Sequence, residues 1–137
     1  MAVVVDASIA LAWVLNEQHS QFAEETIRNA MAAGAAAPAL FWLETSNALR
    51  SRLLRQTIDV SERDAALGDL VALTIETDTD LGARELASIV ALSDRHRLTT
   101  YDATYLELAL RRSWSLATLD EALARAGRAE GLAVITP

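Results

Sequence analysis

The chain alternates between short apolar runs and longer stretches in which apolar residues recur every three or four positions. Ala2–Val5 contains three consecutive valines, which is typical of a strand buried on both faces of a parallel sheet. Leu40–Gln56 and Gly82–His96 have the spacing of helices, and Leu132–Ile135 predicts a closing strand. This alternation predicts an α/β fold with a short, mainly parallel sheet.

The intervening elements are shorter and are predicted from the same spacing. Helices are expected at Ser8–Leu15, from Ser20 to Gly34, at Ala103–Arg112 and from Leu119 to Arg128, and strands at Ala35–Pro38, Thr74–Thr77 and Trp114–Thr118. Leu98–Asp102 is expected to be extended, and Ser61 with Asp64 resembles a capping box. We expect one domain spanning residues 1–137.

Three carboxylates stand where an extended run passes into a helix. Asp6 follows the first strand, Asp102 ends the run at residues 98–102, and Asp120 follows the strand at residues 114–118. Taken singly, each is an ordinary helix-capping residue. Because the carboxyl ends of parallel strands lie on one edge of a sheet, the three are expected to converge on one crevice.

A fourth carboxylate lies inside a predicted helix. Glu44 shares a narrow stripe with Asn47 and Ser51, which lies beside three leucines: Leu40, Leu43 and Leu54. A carboxylate on an inward-facing stripe is costly unless it is paired or binds a metal. Two interpretations stay open here: Glu44 reaches the crevice, or it is a partly exposed residue beside a solvated Asn47.

Composition excludes several classes of protein. The chain has 137 residues, 52% of them hydrophobic, and no cysteine, so disorder, disulfides and thiolate sites are excluded. The longest apolar run, Ala30–Leu43, is interrupted by Gly34 and Pro38 and is too short to span a bilayer. With no signal-peptide pattern at the N-terminus, we expect a cytoplasmic protein that does not associate with membranes.

The charge is unusual for a protein that binds nucleic acid by bulk electrostatics. Nineteen acids against twelve bases give a net charge of −7, and every base is arginine. The lack of lysine excludes Schiff-base chemistry and the P-loop. It also disfavours receiver domains and haloacid-dehalogenase-like phosphatases, and the latter need a second Asp where this chain has Ser8.

Converging carboxylates repel one another, so they need protons or cations in order to coexist. Oxygen ligands without cysteine or histidine suit hard ions such as Mg²⁺ or Mn²⁺. Ions of this kind serve phosphoryl transfer, because they acidify water and stabilise the attacking and leaving oxygens. The residues therefore indicate metal-assisted chemistry on phosphate esters.

Four segments in order carry a family resemblance: Val5–Ser8, Pro38–Leu49, Tyr101–Leu106 and Leu116–Asp120. With these segments the chain resembles the PIN-domain ribonucleases, and most closely the VapC-type toxins of bacterial toxin–antitoxin pairs. The resemblance covers nearly the whole chain. Each segment alone is a weak signal, whereas all four in this order and at this length are specific.

The resemblance implies a site built from four carboxylates and a neighbouring hydroxyl: Asp6, Glu44, Asp102, Asp120 and Thr118. Asp6 and Asp102 are its implied central ligands. By the same resemblance, Glu44 would contribute mainly to binding a second ion and Asp120 to binding the first. The implied cofactor is Mg²⁺ or Mn²⁺.

On this resemblance we expect a three-layer α/β/α domain that acts as an Mg²⁺- or Mn²⁺-dependent endoribonuclease on an RNA substrate. The resemblance also implies a homodimer that is inhibited by a cognate antitoxin protein. Two alternatives stay open: a housekeeping RNA-processing nuclease of the same fold, and a non-catalytic PIN-like module that binds RNA or protein. The carboxylate quartet argues against the second, because a pure binding module has no reason to keep a repulsive cluster.

Overall fold

The computed structural model, which describes residues 1–137, contains five strands that form one parallel sheet. The strands are β1 (Val3–Val5), β2 (Ala35–Pro38), β3 (Ile75–Asp78), β4 (Ser115–Ala117) and β5 (Val134–Ile135). The helices are α1 (Ala7–Val14), α2 (Ser20–Ala33), α3 (Leu40–Leu54), α4 (Val60–Ala72), α5 (Ala83–His96), α6 (Thr100–Arg112) and α7 (Glu121–Ala129). Across the sheet the order is β3-β2-β1-β4-β5.

Helices cover both faces of the sheet. Helices α1 to α4 pack together, while α5 to α7 form a second group in which α6 also contacts the central strands. The central strands are fully enclosed, since Val4, Val5 and Leu116 have no exposed surface. The predicted three-layer α/β/α fold with a parallel sheet is confirmed, and no helix combines the length and hydrophobicity required to cross a membrane.

The strand order places a crevice at the carboxyl edge of the sheet. From β1 the chain moves outward through β2 to β3, and it then returns to the other side of β1 as β4. The connections that leave β1 and β4 therefore diverge, which opens a ligand site at such an edge. Val5 pairs with Ala117, so Asp6 and Thr118 leave the sheet side by side.

The expected extended run at residues 98–102 is wrong, because α6 already begins at Thr100. Thr99 caps this helix, and its hydroxyl accepts the Asp102 N–H at 3.1 Å. Threonine and tyrosine favour strands, but here one local hydrogen bond starts a helix instead. Asp102 consequently lies on the first helical turn rather than at the end of a strand.

The predicted capping box at Ser61 and Asp64 is also wrong by two residues. Asp59 caps α4, and its carboxylate accepts the Glu62 N–H at 2.8 Å. Glu62 in turn accepts the Asp59 N–H at 3.3 Å. The helix therefore begins earlier than the sequence suggested, with both terminal donors satisfied.

Candidate functional site

Asp6 is held at the end of β1 through one carboxylate oxygen. Its Oδ2 accepts hydrogen bonds from the Ser8 hydroxyl at 2.6 Å and from the Thr118 hydroxyl at 2.8 Å. Only 6% of the residue is exposed, and no protein donor reaches Oδ1. Asp6 thus has one fixed oxygen and one that is available to a ligand.

The two hydroxyls are themselves oriented by the backbone after β4. Ser8 Oγ accepts the Leu119 N–H at 3.0 Å, and Thr118 Oγ1 accepts the Asp120 N–H at 3.0 Å. Because each hydroxyl has one proton, accepting from an amide leaves that proton for Asp6. The structure therefore places Thr118 beside Asp6, as expected, and Ser8 makes an equivalent hydrogen bond to Asp6.

The electrostatic environment of Asp6 disfavours its charged form. Burial raises the pKa of Asp6 to about 6, although the hydrogen bonds from Ser8 and Thr118 act in the opposite direction. The nearby negative charges of Glu44 and Asp102 raise this pKa further. Three of the four predicted carboxylates therefore lie close enough to influence one another.

Glu44 approaches this group from α3. The Tyr105 hydroxyl donates to Glu44 Oε1 at 2.6 Å, and Glu44 has no other hydrogen-bond partner. Burial raises the pKa of Glu44, and the charge of Asp102 adds to this effect. Of the two interpretations open from the sequence, the one in which Glu44 approaches the crevice agrees with these contacts.

The leucine stripe predicted around Glu44 is wrong. Leu43 and Leu54 are 73% and 67% exposed, and the buried side of α3 consists of Phe41, Thr45 and Leu49. This helix carries large apolar residues on several sides, so spacing alone does not identify its buried face. Glu44 lies at the boundary between the buried and exposed faces.

Asp102 and Asp120 complete the predicted quartet from two helix starts. The pKa of Asp102 is raised mainly by burial and then by the charge of Asp120, while the neighbouring Thr99 hydroxyl acts in the opposite direction. Asp120 caps α7, because its Oδ1 accepts the Leu123 N–H at 2.8 Å. The capping function considered for Asp120 is thus present and occupies one of its two oxygens.

The donor set fits a hard divalent cation, although the four carboxylates are not gathered tightly. No arginine or histidine forms an ion pair with any of them, so their charges are uncompensated. They form a chain of neighbours, and no three acidic or histidine side chains converge closely enough to make a ready metal site. All available donors are oxygens, the ligands that Mg²⁺ and Mn²⁺ prefer.

Tyr105 is the functional candidate that the sequence analysis did not identify. It is fully buried on α6, and its partner Glu44 is 61 positions away in the chain. One signal was available, because Tyr105 lies three positions after Asp102 and residues at that spacing share a helix face.

Comparison with known proteins places this geometry in a family. A sequence model described as "PIN domain" matches residues 3–129, whereas a search of curated proteins finds no match. Among solved structures, PAE2754 from Pyrobaculum aerophilum has 21% identity and a TM-score of 0.75, covering 98% of this chain and 91% of its own. VapBC2 from Rickettsia felis has 11% identity and a TM-score of 0.71, covering 99% and 98%.

A third structure is VapC20 from Mycobacterium tuberculosis, with 16% identity and a TM-score of 0.67 over 92% of this chain and 95% of its own. At these identities the structural likeness establishes the fold. The family model spans nearly every residue, from β1 to the end of α7, including all four candidate carboxylates. The chain therefore belongs to the PIN domain family, as its resemblance to PIN-domain ribonucleases predicted.

Proposed function

We propose that this protein is an Mg²⁺- or Mn²⁺-dependent endoribonuclease and the toxin of a toxin–antitoxin pair. The observation that carries the proposal is the group of uncompensated carboxylates, Asp6, Glu44, Asp102 and Asp120, at the divergence point of a PIN fold. Asp6 is buried, Glu44 and Asp102 are half-buried, and Asp120 is exposed at the rim. A buried carboxylate beside other negative charges is costly without a cationic partner, so a bound cation is the simplest reason for keeping this group together.

The proposed role of each residue follows from which of its carboxylate oxygens are free of protein hydrogen bonds. Asp6, through its free Oδ1, and Asp102, on the first turn of α6, would be the central ligands. Asp120 would complete the first ion site, and Glu44 would serve a second. When bound, such ions acidify water and stabilise negative charge on the oxygens of a phosphodiester. Thr118 keeps Asp6 in its orientation.

The structural neighbours support RNA as the substrate class and a protein as the inhibitor. VapC20 from Mycobacterium tuberculosis is described as a toxin that cleaves the sarcin–ricin loop. VapBC2 from Rickettsia felis is bound to a DNA fragment from its promoter, and a Klebsiella pneumoniae neighbour is a toxin–antitoxin complex. By analogy, this chain would cleave RNA until a cognate antitoxin binds it.

The direct test is mapping of RNA ends after expression of the protein. New 5′ ends are expected with the parent, and none with Asp102→Asn, which loses a charged ligand at nearly constant volume. Asp69→Asn is a matched control, because Asp69 is exposed on α4 and lacks hydrogen-bond partners. Circular dichroism confirms that both variants fold. Cleavage by Asp102→Asn at the parent rate would contradict the assignment of the site.

Co-expression separates a toxin from a housekeeping nuclease. If the neighbouring gene encodes a small DNA-binding protein, that protein should co-purify with this chain and relieve growth arrest caused by expression. RNA processing without growth arrest would instead favour the housekeeping alternative. Metal binding with no cleavage of any RNA would favour the non-catalytic module.

We also propose a homodimer, formed through an exposed apolar patch on and before α5. Leu81, Leu86 and Val90 are 63%, 53% and 44% exposed beside a cavity of about 400 Å³ that Leu40 helps to line. A two-fold contact requires a self-complementary surface, and an apolar patch meets this requirement. Light scattering should show a dimer that Leu86→Glu converts to a monomer, and a monomeric parent would contradict the proposal.

A further inference from the structure

The Tyr105 hydroxyl joins three helices that each carry, or directly follow, a candidate acid. Tyr105 lies on α6 one turn after Asp102, and it donates to Glu44 Oε1 on α3 at 2.6 Å. The backbone of Ala7, at the start of α1 and directly after Asp6, lies close to this hydroxyl. The Tyr105 hydroxyl thus lies where α1, α3 and α6 approach one another.

Glu44 would not stay in this position by charge alone. Asp6 and Asp102 both repel it, and no arginine pairs with it. The side chain is flexible and half-buried, so repulsion would turn its carboxylate towards solvent. The hydrogen bond from Tyr105 is the only one that Glu44 makes, and it opposes this movement. Hydrogen bonds to a charged acceptor are strong.

The direction of this hydrogen bond is fixed. A phenol carries its proton at neutral pH, and an ionised carboxylate has no proton to donate. Tyr105 is therefore the donor of this hydrogen bond, and Glu44 accepts the hydrogen bond through Oε1. The other oxygen of Glu44, Oε2, receives no protein donor and is free to face the crevice.

We propose that Tyr105 is a positioning residue that holds Glu44 against the repulsion of Asp6 and Asp102, so that Glu44 can bind a divalent cation. The inference rests on the proposed function, since it supposes a cation at the same site. It adds a residue that contacts neither metal nor RNA and that acts through Glu44.

The test is calorimetric titration of the purified protein with Mn²⁺, which does not depend on activity. Tyr105→Phe removes one oxygen and keeps the ring, and Mn²⁺ should then bind about tenfold more weakly, as expected for loss of a hydrogen bond to a charged group. Tyr101→Phe is the matched control, because it makes the same change one turn earlier, on a 63% exposed residue without a hydrogen bond. Its Mn²⁺ affinity should equal that of the parent.

A double-mutant cycle shows whether Tyr105 acts through Glu44. In a Glu44→Gln background, the further change Tyr105→Phe should alter Mn²⁺ affinity by less than about twofold, since the charged group is already absent. The inference is overturned if Tyr105→Phe binds Mn²⁺ like the parent. It is equally overturned if the tenfold loss persists in the Glu44→Gln background or appears in Tyr101→Phe.

The cycle also separates this inference from the proposed function. A parent protein that binds no Mn²⁺ refutes the metal centre and, with it, the inference. A parent that binds Mn²⁺ and cleaves RNA, together with a Tyr105→Phe variant of equal affinity, refutes the inference alone.

A spectroscopic measurement covers the case in which Tyr105→Phe does not fold. The chain has two tyrosines, so Tyr101→Phe labelled with 3-fluorotyrosine gives one ¹⁹F resonance, that of residue 105. Saturating Mg²⁺ should shift this resonance, because the charge of Glu44 is drawn towards the ion. The shift should vanish when Glu44→Gln is added, and a resonance that Mg²⁺ leaves unmoved would overturn the inference.

Discussion

Replacing Asp6 by Asn is expected to stabilise the metal-free protein at neutral pH while destroying the proposed activity. Asp6 is buried at the end of β1 and, when ionised, has no cationic partner. The amide oxygen of Asn can occupy the position of Oδ2 and accept both hydroxyls, from Ser8 and Thr118. The substitution therefore removes the buried charge and retains the local hydrogen bonds.

The magnitude follows from the shifted pKa of Asp6. Burial raises it from 3.8 to about 6, and each unit corresponds to about 1.4 kcal/mol. The ionised carboxylate therefore costs the folded state about 3 kcal/mol at pH 7, and Asn should recover about 1–3 kcal/mol of this. Below pH 6 the folded protein takes up the proton before the unfolded chain does. The parent thus gains stability as the pH falls towards 4, and its difference from the variant shrinks.

The assay is urea denaturation in chelator at pH 7.5 and at pH 4.5. Contributions from acids that do not interact with Asp6 cancel in the difference between parent and variant, so the difference reports Asp6 together with its neighbours Glu44 and Asp102. Asp69→Asn, on the exposed side of α4, should change stability by less than about 0.5 kcal/mol. Added Mg²⁺ should stabilise the parent more than Asp6→Asn, by mass action. The reasoning is refuted if Asp6→Asn is the less stable protein at pH 7.5, or if the difference does not change with pH.

Two further predictions concern stability away from the site. Arg111→Met should cost about 1–3 kcal/mol in urea denaturation, because Glu107, 2.8 Å from Arg111, loses its cationic partner, while Asp78 loses one of two and keeps Arg112 at 3.1 Å. Since Arg111 lowers the pKa of Asp78 below 3.8, this contribution should be present at neutral pH and lost as the pH falls through that lowered value. Asp59→Ala should cost about 1 kcal/mol by removing the cap of α4, whereas Ser61→Ala should leave the melting temperature nearly unchanged.

The sheet and its carboxyl edge could be predicted because they depend on local composition. Three valines in succession form a strand only where both faces are covered, and the Asp that follows must leave the sheet at its edge. The same holds for Asp120, whose carboxylate both follows β4 and caps α7. Interactions between residues that are close in the sequence determine these features, so they can be predicted from the sequence alone.

Other features depend on contacts that have no local signature. The Tyr105–Glu44 hydrogen bond joins residues 61 positions apart, and neither neighbourhood indicates the other. The start of α6 differs from the prediction because the Thr99 hydroxyl accepts the Asp102 N–H, and this capping contact outweighs the strand preference of the surrounding residues. The ion pair between Arg111 and Asp78 was not predicted for the same reason as the Tyr105–Glu44 bond, since it joins α6 to the edge strand β3.

The paired hydroxyls beside Asp6 have a consequence for amide hydrogen exchange. The N–H groups of Leu119 and Asp120 lie in a loop and donate to the hydroxyls of Ser8 and Thr118. Both hydroxyls in turn donate to the buried carboxylate of Asp6. These loop amides should therefore exchange with solvent deuterium as slowly as amides in regular structure. Because their protection depends on Asp6 as the final acceptor, the exchange rates of these two amides should report whether Asp6 holds a proton, a cation or neither.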